Sequence, residues 1–383
     1  MASSVSIKQG IRFSSILAIL AFCLPAVAQK VAATIPVGSG PAALAVNPRT
    51  NKVYVANSNG STLTVIDGAT NDASTVVVGT HPYAVAVNVR TNKIYVANLD
   101  SDNVTVIDGV TNHTDTVSAG HFPNAVAVNP VTNRIYVANG GSSSVTVIDG
   151  ATQAASTVEV GGQPRAIAVN QVTNRIYVAN GHSDSVSVID GVNNHTNTVG
   201  VGTNPITIVL NPRTNKVYVA NNHMEKHTDN TVTVINGATN VATTVTVGHE
   251  PVGMAVNPVT NKIYVTNTHS EDVTVIDGPT NRTGSIPAGS DPFAVAVNSS
   301  TNKVYVANQF SNNVMVIDGQ TQRTGSLTVG THPQALAVNE ATNKLYVVNY
   351  DANTVTVIDG ATSRRHDSTK SSANVEHFRA TIK

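Results

Sequence analysis

From residue 31 onward the chain alternates short apolar runs with polar turns at an almost constant beat. In the first unit Pro41–Asn47 (PAALAVN) is followed by a polar turn, then by Lys52–Asn57 (KVYVAN). A second turn leads to Thr62–Asp67 (TLTVID), and a third to a T-V-x-V-G run. Each run places apolar residues at every second position and is bounded by Gly, Asn, Asp or Pro, the pattern of a β-strand between tight turns. No stretch beyond residue 28 carries a helical period. The unit recurs along the whole chain, with its central tyrosine at positions 54, 95, 136, 177, 218, 264, 305 and 346. Successive spacings are 41, 41, 41, 41, 46, 41 and 41 residues. A four-stranded meander repeated every ~40–45 residues predicts the blade of a β-propeller, whereas helical and leucine-rich solenoids need helices or a shorter period.

The two ends of the array predict how it closes. With strands lettered A to D from the inside out, the last unit stops after strand C, at Val357-Ile358-Asp359. A spare D-like strand, Val31–Val37, precedes the first unit. One missing strand and one extra strand imply that the N-terminal segment completes the last blade and so removes two sheet edges. The expected fold is all-β: a single propeller of eight four-stranded blades, with seven as the alternative if one unit is irregular.

A short B-to-C turn sets Tyr54 opposite Val65 and Lys52 opposite Asp67. Cross-strand pairs of this kind contribute about 0.2–1 kcal/mol each. Residues 52, 93, 134, 175, 216, 262, 303 and 344 are all Lys or Arg. Seven of them face an Asp and Lys216 faces Asn236, so they are expected to form a neutralised structural ring. Asn57 and its equivalents are expected to bond the adjacent turn backbone, and the Asp-Gly after strand C to open the C-to-D turn.

Residues 1–28 stand apart. Lys8 and Arg12 precede an apolar run, Phe13–Leu24, and then Ala26-Val27-Ala28, the order of a secretory signal peptide. The apolar run is shorter than the ~20 residues a membrane span needs. Leu20-Ala21-Phe22-Cys23 suggests lipoprotein processing as an alternative, but Phe22 sits where a small residue is expected. Cleavage before Gln29 leaves 355 residues, without Cys23, the only cysteine. Intrachain disulfides, thiol catalysis and zinc–thiolate sites are thereby excluded from the mature chain. A chain of this size buries roughly 75% of its surface and does not depend on disulfides. Loss of Lys8 and Arg12 leaves 21 basic against 23 acidic residues, a net charge of −2. That balance supplies no positive field for phosphate backbones, so nucleic acid is not an expected partner.

Tyr264-Val265-Thr266-Asn267 spells the tetrapeptide that names the YVTN-family β-propeller repeats, and the other units read Y-V-A-N or Y-V-V-N. With T-N-[KR]-[VI]-Y before it and V-x-V-I-D-G after it, the chain resembles that family from about Val31 to Thr362. The resemblance implies an exported or surface-exposed bacterial or archaeal propeller and no shared catalytic residues. It assigns residues 29–362 to the propeller and leaves 363–383 as a polar tail, which reads as disordered.

If repeated residues are scaffold, residues unique to one unit are the place to look for function. The D-to-A and B-to-C connections share one face of the disc, the loop face; A-to-B and C-to-D connections share the other, the turn face. Turn-face sequences are nearly constant (N-P-x-T-N, D-G-x-T-N), while loop-face sequences vary, and binding residues concentrate on such loops. His81, His121, His182, His223, His227, His249, His269 and His332 all fall there; only His113 and His195 lie in C-to-D turns. Blade 5 carries the single insertion, five residues within its B-to-C loop Asn221–Thr231, and departs from the inner-strand pattern at Thr207 and Val209. The next loops add His249 and Glu250, then His269, Glu271 and Asp272. Phe122, Asp291, Phe310, Tyr350, Asp351 and Arg165 are further one-off residues on that face. The candidate ligand-binding set is His81, Phe122, His223, His227, His249, Glu250, His269, Asp291 and His332; no catalytic residue and no metal set is assigned.

Three classes of function fit. The first is a non-enzymatic binding module in or outside the envelope, recognising a protein, peptide or glycan, and monomeric because the ring leaves no free edge. The second is a propeller enzyme, a metal-assisted hydrolase or lyase using His223, His249, Glu250 or His269, since imidazole and carboxylate without thiols suit zinc, copper or nickel or an acid–base pair. The absence of tryptophan disfavours a quinone-linked dehydrogenase and sialidase-type Asp boxes. No cofactor-binding signature is present. The third is a structural component of a surface layer.

Overall fold

The computed structural model describes residues 29–222 and 230–360. Residues 1–28 and 363–383, expected to be a signal peptide and a tail, lie outside the described residues, as do His223 and His227. Among the described residues the elements are strands, apart from one short 3-10 turn at Gly181–Ser183. No helix among them is long and apolar enough to cross a membrane.

Eight four-stranded antiparallel sheets form the chain, seven of them simple meanders. Blade 1 consists of Pro41–Asn47 (A), Lys52–Asn57 (B), Thr62–Asp67 (C) and Ala73–Val77 (D). A strands of successive blades pack side by side, and that of blade 8, Pro333–Asn339, returns to that of blade 1. The A strands therefore line the centre of a closed ring. Starting each A strand on a proline fits this position, because the inner edge of a sheet has no neighbour to receive an N–H.

Side chains alternate across each sheet, so every blade feeds two cores. Tyr54, Ala56, Leu63, Val65 and Val76 of blade 1 meet Ile94, Val96 and Ile107 of blade 2 in one cluster. Tyr54 and Val65 pair in register, as do Lys52 and Asp67. B and C strands are buried along nearly their whole length because both faces are covered by neighbours. D strands bury one residue at most, since their outer edge meets solvent.

Ring closure follows the expected route. Lys30–Pro36 runs antiparallel to Thr354–Asp359, from Lys30↔Asp359 to Pro36↔Thr354, with a bulge between Val31 and Ala33. Ile35 is 5% exposed. It packs with Tyr346, Val348, Val355 and Val357 of blade 8 and with Val53, Val55 and Ile66 of blade 1. The blade number is eight, and the closing strand begins one residue before the expected Val31.

The turn face is held by hydrogen bonds between blades. Asn47 at the end of strand A donates through Nδ2 to Oδ1 of Asn92 in blade 2 at 2.7 Å. The same bond recurs in every blade at 2.7–2.9 Å, the last from Asn339 of blade 8 to Asn51 of blade 1. The acceptors are the asparagines of T-N-[KR], which hold left-handed backbone (φ 54° at Asn51, 55° at Asn92), a conformation Asn tolerates better than most residues.

Two expectations are corrected here. The cations face their own-blade aspartates in register but mostly do not bond them: among the described residues only Lys303 bonds its own Asp318, at 2.6 Å. Lys52, Lys93, Arg134, Arg175, Lys216 and Lys344 instead donate to the carbonyl of the Gly that follows strand C in the next blade. The Asp Oδ1 is already engaged as a turn cap, accepting the Ala69 and Thr70 N–H in blade 1. Asn57, likewise, does not bond turn backbone through Nδ2; it donates to Thr62 Oγ1 and Thr64 Oγ1, side chains of strand C.

Candidate functional site

The loop face is built from two rings, one residue per blade in each. The outer ring is the residue before the strand A proline: Gly40, His81, Phe122, Gln163, Asn204, Glu250, Asp291 and His332. All eight hold positive φ, between 49° and 61°. That backbone turns the carbonyl toward the B-to-C loop of the same blade, which donates an N–H to it. Leu99 N to His81 O and Thr268 N to Glu250 O are examples, both within 3.0 Å. Phe122 is the notable member, because bulky residues rarely adopt this conformation. Phe122 is 53% exposed.

The inner ring is the residue after that proline: Ala42, Tyr83, Asn124, Arg165, Ile206, Val252, Phe293 and Gln334. Each lies where the A–B register slips, so it is an extra, unpaired residue in a β-bulge. Bulges free a side chain from the ladder and re-aim it, and they are common beside functional sites. Here they set the side chains of blades 2 to 7 around a cavity of about 650 Å³ at the loop-face mouth of the ring. Leu99, Gln163, Thr207, Gly253, Met254, Ala294 and Val295 also line the cavity.

Blade 6 opens this mouth further. Its bulge spans Val252 and Gly253, because pairing resumes only at Met254↔Val265. A Cβ on Gly253 would lie 2.4 Å from Phe293 O and 2.8 Å from Thr266 Oγ1. Thr266 occupies the place of the usual Ala, and its hydroxyl accepts from Gly253 N and donates to Phe293 O at 2.9 Å. The departure from Ala at residue 207 has a similar explanation: Thr207 Oγ1 donates to Val252 O at 2.7 Å and ties blade 5 to blade 6.

A second cavity, about 400 Å³, lies farther out over blades 6 and 7, lined by Glu250, Thr268, His269, Glu271, Ser290, Asp291 and Phe310. The His249 and His269 rings stand edge-on with centroids 6.5 Å apart. His332 is flanked by Phe310 at 6.2 Å and Tyr350 at 6.1 Å. Partial burial pushes the Asp291 carboxyl above its ordinary range; His332 opposes the rise, and the Glu250 and Glu271 charges add to it. Among the described residues, no three His, Asp or Glu side chains gather in a way that would hold a metal ion.

The candidate set therefore splits. His249, Glu250, His269, Asp291 and His332 come together over blades 6 to 8. His81 and Phe122 are on blades 2 and 3, where His81 Nδ1 lies 3.1 Å from Asp100 Oδ2 and its ring is 6.1 Å from Tyr83. The inner ring, apart from Arg165, was not anticipated. Its signal was present: the residue after the proline differs in all eight units, within a strand that otherwise barely changes.

No protein-family profile and no curated protein matches the chain. Solved structures do. Kuenenia stuttgartiensis hydrazine synthase is similar at TM-score 0.60 and 18% identity, over 84% of this chain and 96% of that one. A catalytically inactive variant of virginiamycin B lyase from Staphylococcus aureus, solved with quinupristin, is similar at TM-score 0.58 and 9% identity, over 73% and 94%. At such identities the likeness is one of fold, the β-propeller.

Proposed function

We propose that this chain is an exported, non-enzymatic binding propeller of the YVTN repeat type, monomeric, and recognising a protein, peptide or glycan through its loop face. One observation carries this proposal. Positions that differ from blade to blade converge on one face, and the opposite face repeats the same inter-blade hydrogen bonds. Tyr83, Phe122 and Phe310 are the exposed large aromatic side chains among the described residues, and all three stand on the loop face. Aromatic side chains on a rigid support are the usual anchors of a binding surface.

The test is a peptide and glycan array probed with residues 29–383, followed by loop-face variants (Tyr83→Ala, Phe310→Ala) and turn-face controls (Val172→Ala, Val192→Ala). Binding lost in the loop-face variants and kept in the controls is the expected result. Retention in all loop-face variants removes that face from the function. Fractionation of the native producer tests export.

A second reading, a hydrolase or lyase, is favoured by one feature: a carboxyl with a raised pKa, Asp291, beside imidazoles and a cavity. Turnover of an ester, lactone or lyase substrate that disappears in Asp291→Asn and His269→Gln would establish it over the binding module.

A further inference from the structure

The inner ring is not uniform around the mouth. Blades 3 and 4 contribute Asn124 and Arg165, a polar arc. Blades 5 to 7 contribute Ile206, Val252 and Phe293, an apolar arc. Among the described residues Arg165 is the only charged one that lines the cavity, and no described carboxylate lines it. Its guanidinium is held in place: Nε and Nη2 both donate to Gln163 Oε1, at 3.1 and 2.8 Å. Gly181 lies directly against it, and a Cβ there would approach Nε to 2.7 Å. Among the described residues Arg165 forms no ion pair, and its Nη1 makes no hydrogen bond. A planar guanidinium fixed by a neutral partner matches a carboxylate or similar anion without first breaking a salt bridge. The cavity volume falls in the range of small-molecule sites, ~300–1,000 Å³, which pair an apolar wall with a few convergent polar groups.

We propose that the loop-face mouth binds a small amphipathic carboxylate, its anionic head on Arg165 and its apolar body against Ile206, Val252 and Phe293. This proposal rests on the binding-module function and narrows its ligand. Two sources share the chemistry: a free organic acid, and the C-terminus of a peptide ending in an apolar residue. The head requires the charge and the body requires the apolar arc, so each half is separable by substitution.

Titration calorimetry on residues 29–383 tests this with octanoate and 4-phenylbutanoate, their neutral amides, inorganic sulfate, and acetyl-Ala-Ala-Phe with a free or amidated C-terminus. The expected result is that at least one free carboxylate binds at least ten-fold more tightly than its amide, and that sulfate alone binds more weakly than that acid. Binding by the acids assigns the site to free organic acids; binding by the free peptide only assigns it to a peptide terminus. Arg165→Gln should erase the acid-over-amide preference, and Phe293→Ala should weaken acid and amide by a similar factor, about ten-fold. Unchanged far-ultraviolet dichroism and melting temperature certify that each variant is folded, and Arg165→Lys, which keeps charge without the fork, should fall between wild type and Arg165→Gln. Equal affinity for acid and amide in the wild type, or an acid preference that survives Arg165→Gln, overturns the proposal. If none of these probes binds while array ligands still bind in a loop-face-dependent way, the carboxylate assignment falls and the binding-module function stands.

Discussion

Closure of the ring by Lys30–Pro36 is the structural feature most open to a quantitative test. Ile35 and Ile286 occupy equivalent places in the outermost strands of blades 8 and 6, opposite Val355 and Val273. They are 5% and 7% exposed. Truncating a buried Ile to Ala costs about 2–5 kcal/mol, and a site near the sheet rim belongs in the lower half, about 2–3 kcal/mol. Unfolding entropy near 2 cal/mol/K per residue gives about 0.7 kcal/mol/K for roughly 330 residues, so each substitution should lower Tm by about 3–4 °C. The two variants should match in Tm and differ in where they loosen. In a chain cut to residues 29–383, Ile286→Ala leaves its strand tethered on both sides by chain, whereas Ile35→Ala weakens a strand held at its N-terminal end by pairing alone. Hydrogen exchange should therefore accelerate across Thr354–Asp359 in Ile35→Ala, with no counterpart across Asp272–Asp277 in Ile286→Ala. Deletion of residues 29–36 removes the whole pairing and uncovers Val355 and Val357, both now fully buried. That chain should melt at least about 7 °C lower, the sum of two or three such losses. It should also associate with rising concentration through its bare edge, visible by light scattering. A deleted chain that melts within 1 °C of the intact one and stays monomeric would refute closure by this strand.

Three further outcomes are expected. Asn129→Ala breaks the inter-blade bond to Asn174 and the cap on Val131 N, leaving partly buried groups to find solvent; urea denaturation should show a loss of about 1–2 kcal/mol. Lys303, together with the Thr321 and Gln320 N–H groups, holds the Asp318 carboxyl well below the usual carboxylate range. A depressed folded pKa stabilises above the unfolded pKa, near 3.8. Wild type should therefore exceed Asp318→Asn in stability at pH 7, by no more than about 1 kcal/mol because solvent screens the pair. The gap should narrow as pH falls below about 4. Asp291 has the opposite sign: burial raises its folded pKa, so ionising it opposes folding as pH rises through that range. Asp291→Asn should raise Tm at pH 7, and the gain should shrink toward pH 3 in a thermal-shift series.

Much of this fold was legible before any coordinates. A period of 41 residues, four apolar alternations per period, and a strand missing at one end but present at the other determined a closed ring of blades. Cross-strand register was legible too, because Tyr54 and Val65 lie symmetrically about a short turn. Within-blade pairing is local, and local pattern encodes it. Partners across blades were not legible: pairwise reasoning matched Lys52 to Asp67 when its bond goes to blade 2, and gave Asn57 a turn to hold when it spans strands B and C. That the variable loops share one face was legible, yet its two rings, and the mouth lined by Tyr83, Arg165, Val252 and Phe293, emerged only from the tertiary structure. A bulge shifts one residue out of the alternation that sequence reading relies on. A ring then brings together side chains about 41 positions apart, which no local period records.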